Sequence, residues 1–161
     1  YFLVTLHRPE SVDIKKNLSS LLKTLKALYK KYKYPIIFPI HPRTKNNMKK
    51  LNLSFDKNIK IIEPLEYLEF LKLMKDSKLI LSDSGGIQEE ASILGVPCVT
   101  LRTTTERQIT LLRKVNIMAG YSQNKILKAV EEFHNKNIKK INDFGSGNVT
   151  NKIYKKLTSL I

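Results

Sequence analysis

The residues best able to do chemistry stand in one run, Asp83-Ser84-Gly85-Gly86-Ile87-Gln88-Glu89-Glu90, between the segment Lys78-Leu79-Ile80-Leu81 and a helical pattern. A strand stops, two glycines turn the backbone, and a helix starts. Such glycines let a phosphate approach the main chain, and the free amides and positive dipole end of the new helix attract its charge. Glu90 lies about one helical turn deeper, where a carboxylate accepts hydrogen bonds from sugar hydroxyls beside the phosphate, as acidic residues do in dinucleotide folds. Nucleotide binding is the first expectation. The same residues also fit a plainer account, with Ser84 as an N-cap, Gly85-Gly86 as an ordinary tight turn and Glu89 as a first-turn acid favoured by the helix dipole.

The elements that must position this loop follow from the hydrophobic pattern. Strands are expected at Phe2 to Leu6, Ile36 to Ile40, Ile59 to Ile62, Leu79 to Leu81, Cys98 to Leu101 and around Val115 to Met118. The intervals are too long for hairpins and carry helical spacing. Leu18, Leu21, Leu22, Leu25, Leu28 and Tyr29 line one face of a helix over Asn17 to Tyr32. Further helices are expected at Lys45 to Leu51, Tyr67 to Lys75, Gly86 to Leu94, Glu106 to Leu112, Gln123 to Lys136 and Thr150 to Leu160. Continuous apolar strands alternating with helices indicate an α/β fold, a doubly wound Rossmann-like parallel sheet covered on both faces.

Ligands of such sheets bind outside the carboxyl ends of the strands. His7-Arg8-Pro9-Glu10 follows the first strand, His41-Pro42-Arg43-Thr44 the second, the glycine turn the fourth, and Arg102-Thr103-Thr104-Thr105-Glu106-Arg107 the fifth. Arg8, Arg43, Arg102 and Arg107 stand at these ends in a chain that otherwise uses lysine, and arginine suits forked contact with phosphate. Blander roles exist for each residue. His7 and His41 fit satisfied histidines under loops, with Pro42 making a turn; His134 fits a surface helix; Phe70 fits a core aromatic or a stacking partner for a base; Glu106-Arg107 fits an exposed helix-start pair.

The chain has 161 residues, enough for one domain with a core. It begins at Tyr1 in a buried-looking strand, with no signal-peptide pattern and no long apolar span, so a soluble cytoplasmic fragment is expected. The single cysteine, Cys98, excludes a disulfide framework or cysteine metal cluster within one chain and reads as core. A formal net charge of +15 invites a polyanion-binding reading. The lysines are nevertheless spread through nearly every expected helix, and no nucleic-acid motif with interleaved aromatics is present.

Taken together, Thr5-Leu6-His7-Arg8-Pro9-Glu10, Ile62-Glu63-Pro64-Leu65-Glu66-Tyr67-Leu68-Glu69-Phe70, Asp83 to Glu90, Leu94-Gly95-Val96-Pro97, Thr104-Thr105-Glu106-Arg107 and Gly145-Ser146-Gly147-Asn148 resemble the carboxyl-terminal half of the non-hydrolysing UDP-N-acetylglucosamine 2-epimerases. The resemblance is collinear across essentially the whole chain. It implies residues 1–161 as the UDP-binding half of a two-domain glycosyltransferase-B architecture, with closing helices at about 123–161 and the amino-terminal domain absent. By the same resemblance Ser84, Gly85 and Gly86 bind the diphosphate, and Glu90 holds the ribose hydroxyls. Arg107 contacts the phosphate region, Phe70 lies beside the uracil, and His7, with Arg8 and Glu10 next to it, assists departure of the nucleotide. The family eliminates UDP to a glycal and adds it back with C2 inverted, interconverting UDP-N-acetylglucosamine and UDP-N-acetylmannosamine without metal or nicotinamide. A homodimer supplying surface-polysaccharide precursors is implied, with no membrane or specific nucleic-acid partner. Ser11, Thr103 and Gln108 depart from the usual Asn, Asp and Pro. A hydrolysing epimerase or a glycosyltransferase donor domain shares the architecture, and a basic polyanion-binding module is the non-enzyme alternative.

Overall fold

Strands that are apolar throughout satisfy their backbone only beside parallel neighbours and bury their side chains only under helices on both faces. The computed structural model, which describes every residue except Asn135, Asn137, Asn142, Ser146 and Ile161, has this arrangement. Strands β1 (Phe2–Thr5), β2 (Ile36–Pro39), β3 (Ile59–Ile62), β4 (Leu79–Ser82), β5 (Cys98–Thr100) and β6 (Asn116–Met118) form one sheet in the order β3-β2-β1-β4-β5-β6, all neighbours parallel. β1 is central: Phe2 is registered against Ile36 on one side and Leu79 on the other, and Thr5 against Ser82.

Helices α1 (Pro9–Val12), α2 (Lys15–Tyr32), α3 (Pro42–Lys50) and α7 (Gln123–His134) cover one face; α4 (Tyr67–Lys75), α5 (Gly85–Leu94) and α6 (Gln108–Leu112) cover the other. Alternate strand residues divide between the two cores. Phe2, Val4, Leu79 and Leu81 join the leucines of α2, while Leu3, Ile80 and Cys98 meet Met74 and Ala91. Cys98 is core, as expected, and burial pushes its thiol up to about 12. Among the described residues no helix is long and apolar enough to cross a membrane.

Several element starts differ from the sequence expectation. The short helix α1 was not anticipated; its proline at N1 and the Arg8 carbonyl accepting from Ser11 and Val12 close it locally. Pro42, read as a turn, is instead the first residue of α3, and the His41 ring caps it by accepting from the Arg43 amide at 3.1 Å. α6 begins at Gln108 rather than Glu106, because the Thr105 hydroxyl accepts from the Arg107 amide and keeps this segment in a turn. His134 is half-buried rather than a plain surface residue, stacked on Tyr32 with ring centroids 4.7 Å apart. The closing helix α8 (Val149–Thr158) buries none of its residues. The expected end of α7 at Lys136 and the Gly145-Ser146-Gly147-Asn148 motif include Asn135 and Ser146, which lie outside the described residues.

Gly95 ends α5 at φ +76, and a Cβ there would come within 2.8 Å of the Lys140 side chain, where the chain returns from α7. Gly95→Ala is expected to cost about 1–2 kcal/mol, the penalty for a left-handed L-residue, while Gly95→Asn loses less. Urea unfolding measures both.

Candidate functional site

β1 and β4 are neighbours whose following segments lead to opposite faces, α1–α2 on one and α5 on the other, so a crevice opens beyond their carboxyl ends. Asp83 stands in that crevice, immediately after β4, with 0% exposure. Its carboxylate accepts from the His7 amide at 3.0 and 3.2 Å and from the Arg8 amide at 2.9 Å, and it faces His7 Nδ1 at 3.2 Å. Burial pushes this carboxyl upward, but the hydrogen bonds from His7 and Arg8 outweigh it and hold the group below its usual range. One buried charge thus fixes the strand-end loop of β1 against that of β4. With Nδ1 directed at Asp83, His7 keeps Nε2 for the crevice, the arrangement of an imidazole oriented to exchange a proton.

The glycine turn follows. Ser84 is the N-cap of α5, yet its side chain makes no capping hydrogen bond, leaving the first-turn amides to other acceptors. Its own amide donates to Ser82 Oγ at 3.0 Å, and that hydroxyl is paired with Thr5 Oγ1 across the sheet at 2.7 Å. Neither Gly85 nor Gly86 has a positive φ, and a Cβ on Gly86 would meet nothing within 4 Å. Backbone conformation and internal packing therefore do not call for glycine at Gly86. Glycine there leaves the backbone open to a group approaching from outside.

A cleft of about 200 Å³ adjoins the turn, with His7, His41 and Ser84 on one side and Pro64, Phe70 and Ile87 among its apolar lining. The His7 and His41 rings are 5.5 Å apart. Burial, with His7 alongside, lowers the His41 pKa, which suits a ring nitrogen that accepts from the Arg43 amide. Phe70 is partly buried against the core and lines the cleft. Glu90 is half-buried beyond the turn: burial, with Glu89 beside it, raises its pKa, and the Tyr67 hydroxyl opposes the rise.

The second rim is held by side chains of α5. Gln88, fully buried, donates to the Ser84 carbonyl at 3.2 Å and accepts from the Thr105 hydroxyl at 2.6 Å and from Asn116 Nδ2 at 3.1 Å. The glycine turn and the Thr105-Glu106-Arg107 segment are therefore one rigid unit. Glu106 and Arg107 do not form the expected pair. Arg107 is tied to Glu89, which lies in the second turn of α5 rather than the first, and Glu106 accepts a fork from Arg102 at 3.2 and 3.2 Å. Arg43 is likewise committed, in a fork to Asp13 that ties α3 to the end of α1.

Of the residues expected at the site, the structure brings His7, Phe70 and Ser84 into the cleft lining, with Gly85 and Gly86 at the adjoining turn. Arg8, Glu10, Glu90 and Arg107 are not in that lining; Glu10 faces Arg102 Nε at 3.8 Å. The sequence reading gave no separate role to Asp83 or Gln88 and left His41 open. The signal for Asp83 was an acid directly after an apolar strand.

The family described as UDP-N-acetylglucosamine 2-epimerase matches residues 1–158. The chain belongs to this family. A UDP-N-acetylglucosamine 2-epimerase of Methanocaldococcus jannaschii is 50% identical over 163 residues, covering 98% of this chain and 44% of its own length. The crystal structure of the Methanocaldococcus jannaschii UDP-GlcNAc 2-epimerase in complex with UDP-GlcNAc and UDP matches with a TM-score of 0.94 and 48% identity, over 99% of this chain and 45% of that one. The Neisseria meningitidis enzyme bound to UDP-GlcNAc matches with a TM-score of 0.82 and 34% identity, over 98% and 44%. The chain thus spans less than half the length of these relatives, and its sheet is one half of a two-domain glycosyltransferase-B-type fold.

Asp83→Asn removes the charge that receives the His7 and Arg8 amides and is expected to cost roughly 1.5–3 kcal/mol. Because the carboxyl is held below its ordinary 3.8, its contribution is full above that value and is lost as pH falls through the lower folded value. Urea unfolding across the acid range should show wild type losing stability more steeply below about pH 4 than the Asn variant.

Proposed function

We propose that residues 1–161 are the UDP-binding half of a UDP-N-acetylglucosamine 2-epimerase that interconverts UDP-N-acetylglucosamine and UDP-N-acetylmannosamine. The observation that carries this reading is the uncapped first turn of α5, with a glycine at Gly86 that the fold itself does not require, beside a cleft walled by Phe70 and His7. Membership of the epimerase family supports it. The first-turn amides after Ser84, with Gly85 and Gly86, hold the diphosphate; Phe70 lies against the uracil; Glu90 accepts from the ribose hydroxyls. Arg8 and Glu10 flank the reacting end, and Arg107 completes the phosphate rim once it exchanges Glu89 for the ligand.

In the reaction the bond from sugar C1 to the pyrophosphate oxygen breaks as C2 loses its proton, giving a glycal and UDP. Protonation of C2 from the opposite face and return of UDP to C1 give the epimer. The leaving diphosphate gains charge as the bond breaks, and fixed amides with an oriented His7 stabilise that charge without reorganising. The groups acting at C2 belong to an amino-terminal domain across the cleft, so this half alone is inactive. The full enzyme is a cytoplasmic homodimer serving polysaccharide biosynthesis.

Titrating UDP into the chain while following backbone amide signals tests the reading. Saturable shifts at Gly85, Gly86 and Glu90 are expected; diffuse shifts that vanish with salt would instead favour a polyanion-binding module. Gly86→Ala separates ligand from fold. It should stabilise α5 by about 0.5–1 kcal/mol through helix propensity while weakening UDP on the order of tenfold. Unchanged UDP affinity in that variant would remove the diphosphate from this turn.

A further inference from the structure

Beside the glycine turn stands a carboxylate to which the proposed roles give no part. Glu106 Oε2 lies 3.8 Å from where a Cβ on Gly85 would sit, next to the positive end of α5. Its two oxygens accept from Arg102 at 3.2 and 3.2 Å. Within the pair the arginine side chain is 8% exposed and the glutamate 60% exposed. Arg102 Nε has no hydrogen-bond partner. Glu106 therefore occupies, from within the chain, the kind of position that an anionic ligand of the turn would take.

Its setting differs from that of the other rim carboxylate. Glu89 is carried by the second turn of α5, paired with Arg107 and 32% exposed, whereas Glu106 stands in the turn that precedes α6, 60% exposed, its carboxylate held by Arg102 and by its own backbone amide. A pyrophosphate entering the turn meets a like charge at close range. Glu106 is the more exposed of these two rim carboxylates.

We propose that Glu106 is a displaceable counter-ion: it neutralises Arg102 and the helix end in the structure seen here, and it gives way when a pyrophosphate is seated, transferring Arg102 to the ligand. The proposal rests on the reading of the glycine turn as a diphosphate site. Its consequence is discrimination by charge. A ligand without phosphates does not displace Glu106, so the nucleoside alone gains nothing from the rim.

The test compares UDP and uridine binding to wild type and Glu106→Gln by calorimetry. Glu10, 3.8 Å from Arg102, keeps that arginine compensated in the variant, so the fold is expected to survive, as thermal unfolding will show. Removing a like charge a few ångströms from the diphosphate should tighten UDP by about five- to tenfold and leave uridine within about twofold. UDP binding that is unchanged or weaker in a folded Glu106→Gln chain overturns the proposal and makes Glu106 a fixed buttress of Arg102. The wild type gives an independent readout: the Arg102 Nε–H signal should shift with UDP and not with uridine, and an unmoved signal at UDP saturation overturns the proposal too. Absence of UDP binding to both proteins overturns the diphosphate reading itself, and this proposal with it.

Discussion

A single buried charge organises the working end of this protein. Asp83 sits at the carboxyl end of β4 with no solvent to stabilise it, so its ionised form depends on the amides of His7 and Arg8 and on the His7 ring. Those donors lie on the loop after β1, the central strand. The carboxylate therefore fixes the relative position of the two loops that flank the crevice, and it orients the imidazole at the same time. The His7 wall of the cleft takes its geometry from this contact, while Ser82 and Gln88 hold the adjoining glycine turn.

Around that centre the charges are more balanced than composition implies. The chain carries +15 overall, yet Arg43, Arg102 and Arg107 each face a carboxylate, on Asp13, Glu106 and Glu89. The excess lysine charge lies mainly on helix surfaces, where it raises solubility and long-range attraction without shaping a site. The groups with fixed positions near the cleft are few: uncapped amides, a partly apolar wall and arginines already paired with carboxylates.

Much of this was legible in the residues. Alternating apolar strands and amphipathic helices implied the doubly wound sheet, and the acid-serine-glycine-glycine run after β4 located the turn, because both signals are local and periodic. The departures arose where a tertiary contact overrode a local preference. Thr105, fixed by Gln88 from another element, delays α6 to Gln108. His41 and Pro42 cap a helix instead of making a loop, since α3 is docked by the Thr44 hydroxyl donating to the Leu6 carbonyl. Gln88 gave no local sign of its role, because the residues it joins are distant in sequence: Thr105 and Asn116 lie 17 and 28 positions away.

The sequence by itself determined the element types, the burial of both sheet faces and the chemistry available at the strand ends, all properties set by short-range periodicity and side-chain identity. Tertiary structure alone decided the strand order β3-β2-β1-β4-β5-β6, and with it the placing of His7 beside Asp83 across 76 positions of chain. It also decided which carboxylate each arginine meets. Parallel pairing carries no local register signal, and ion pairs form between whichever groups the packed sheet and helices bring within reach, so these facts exist only once the chain has folded.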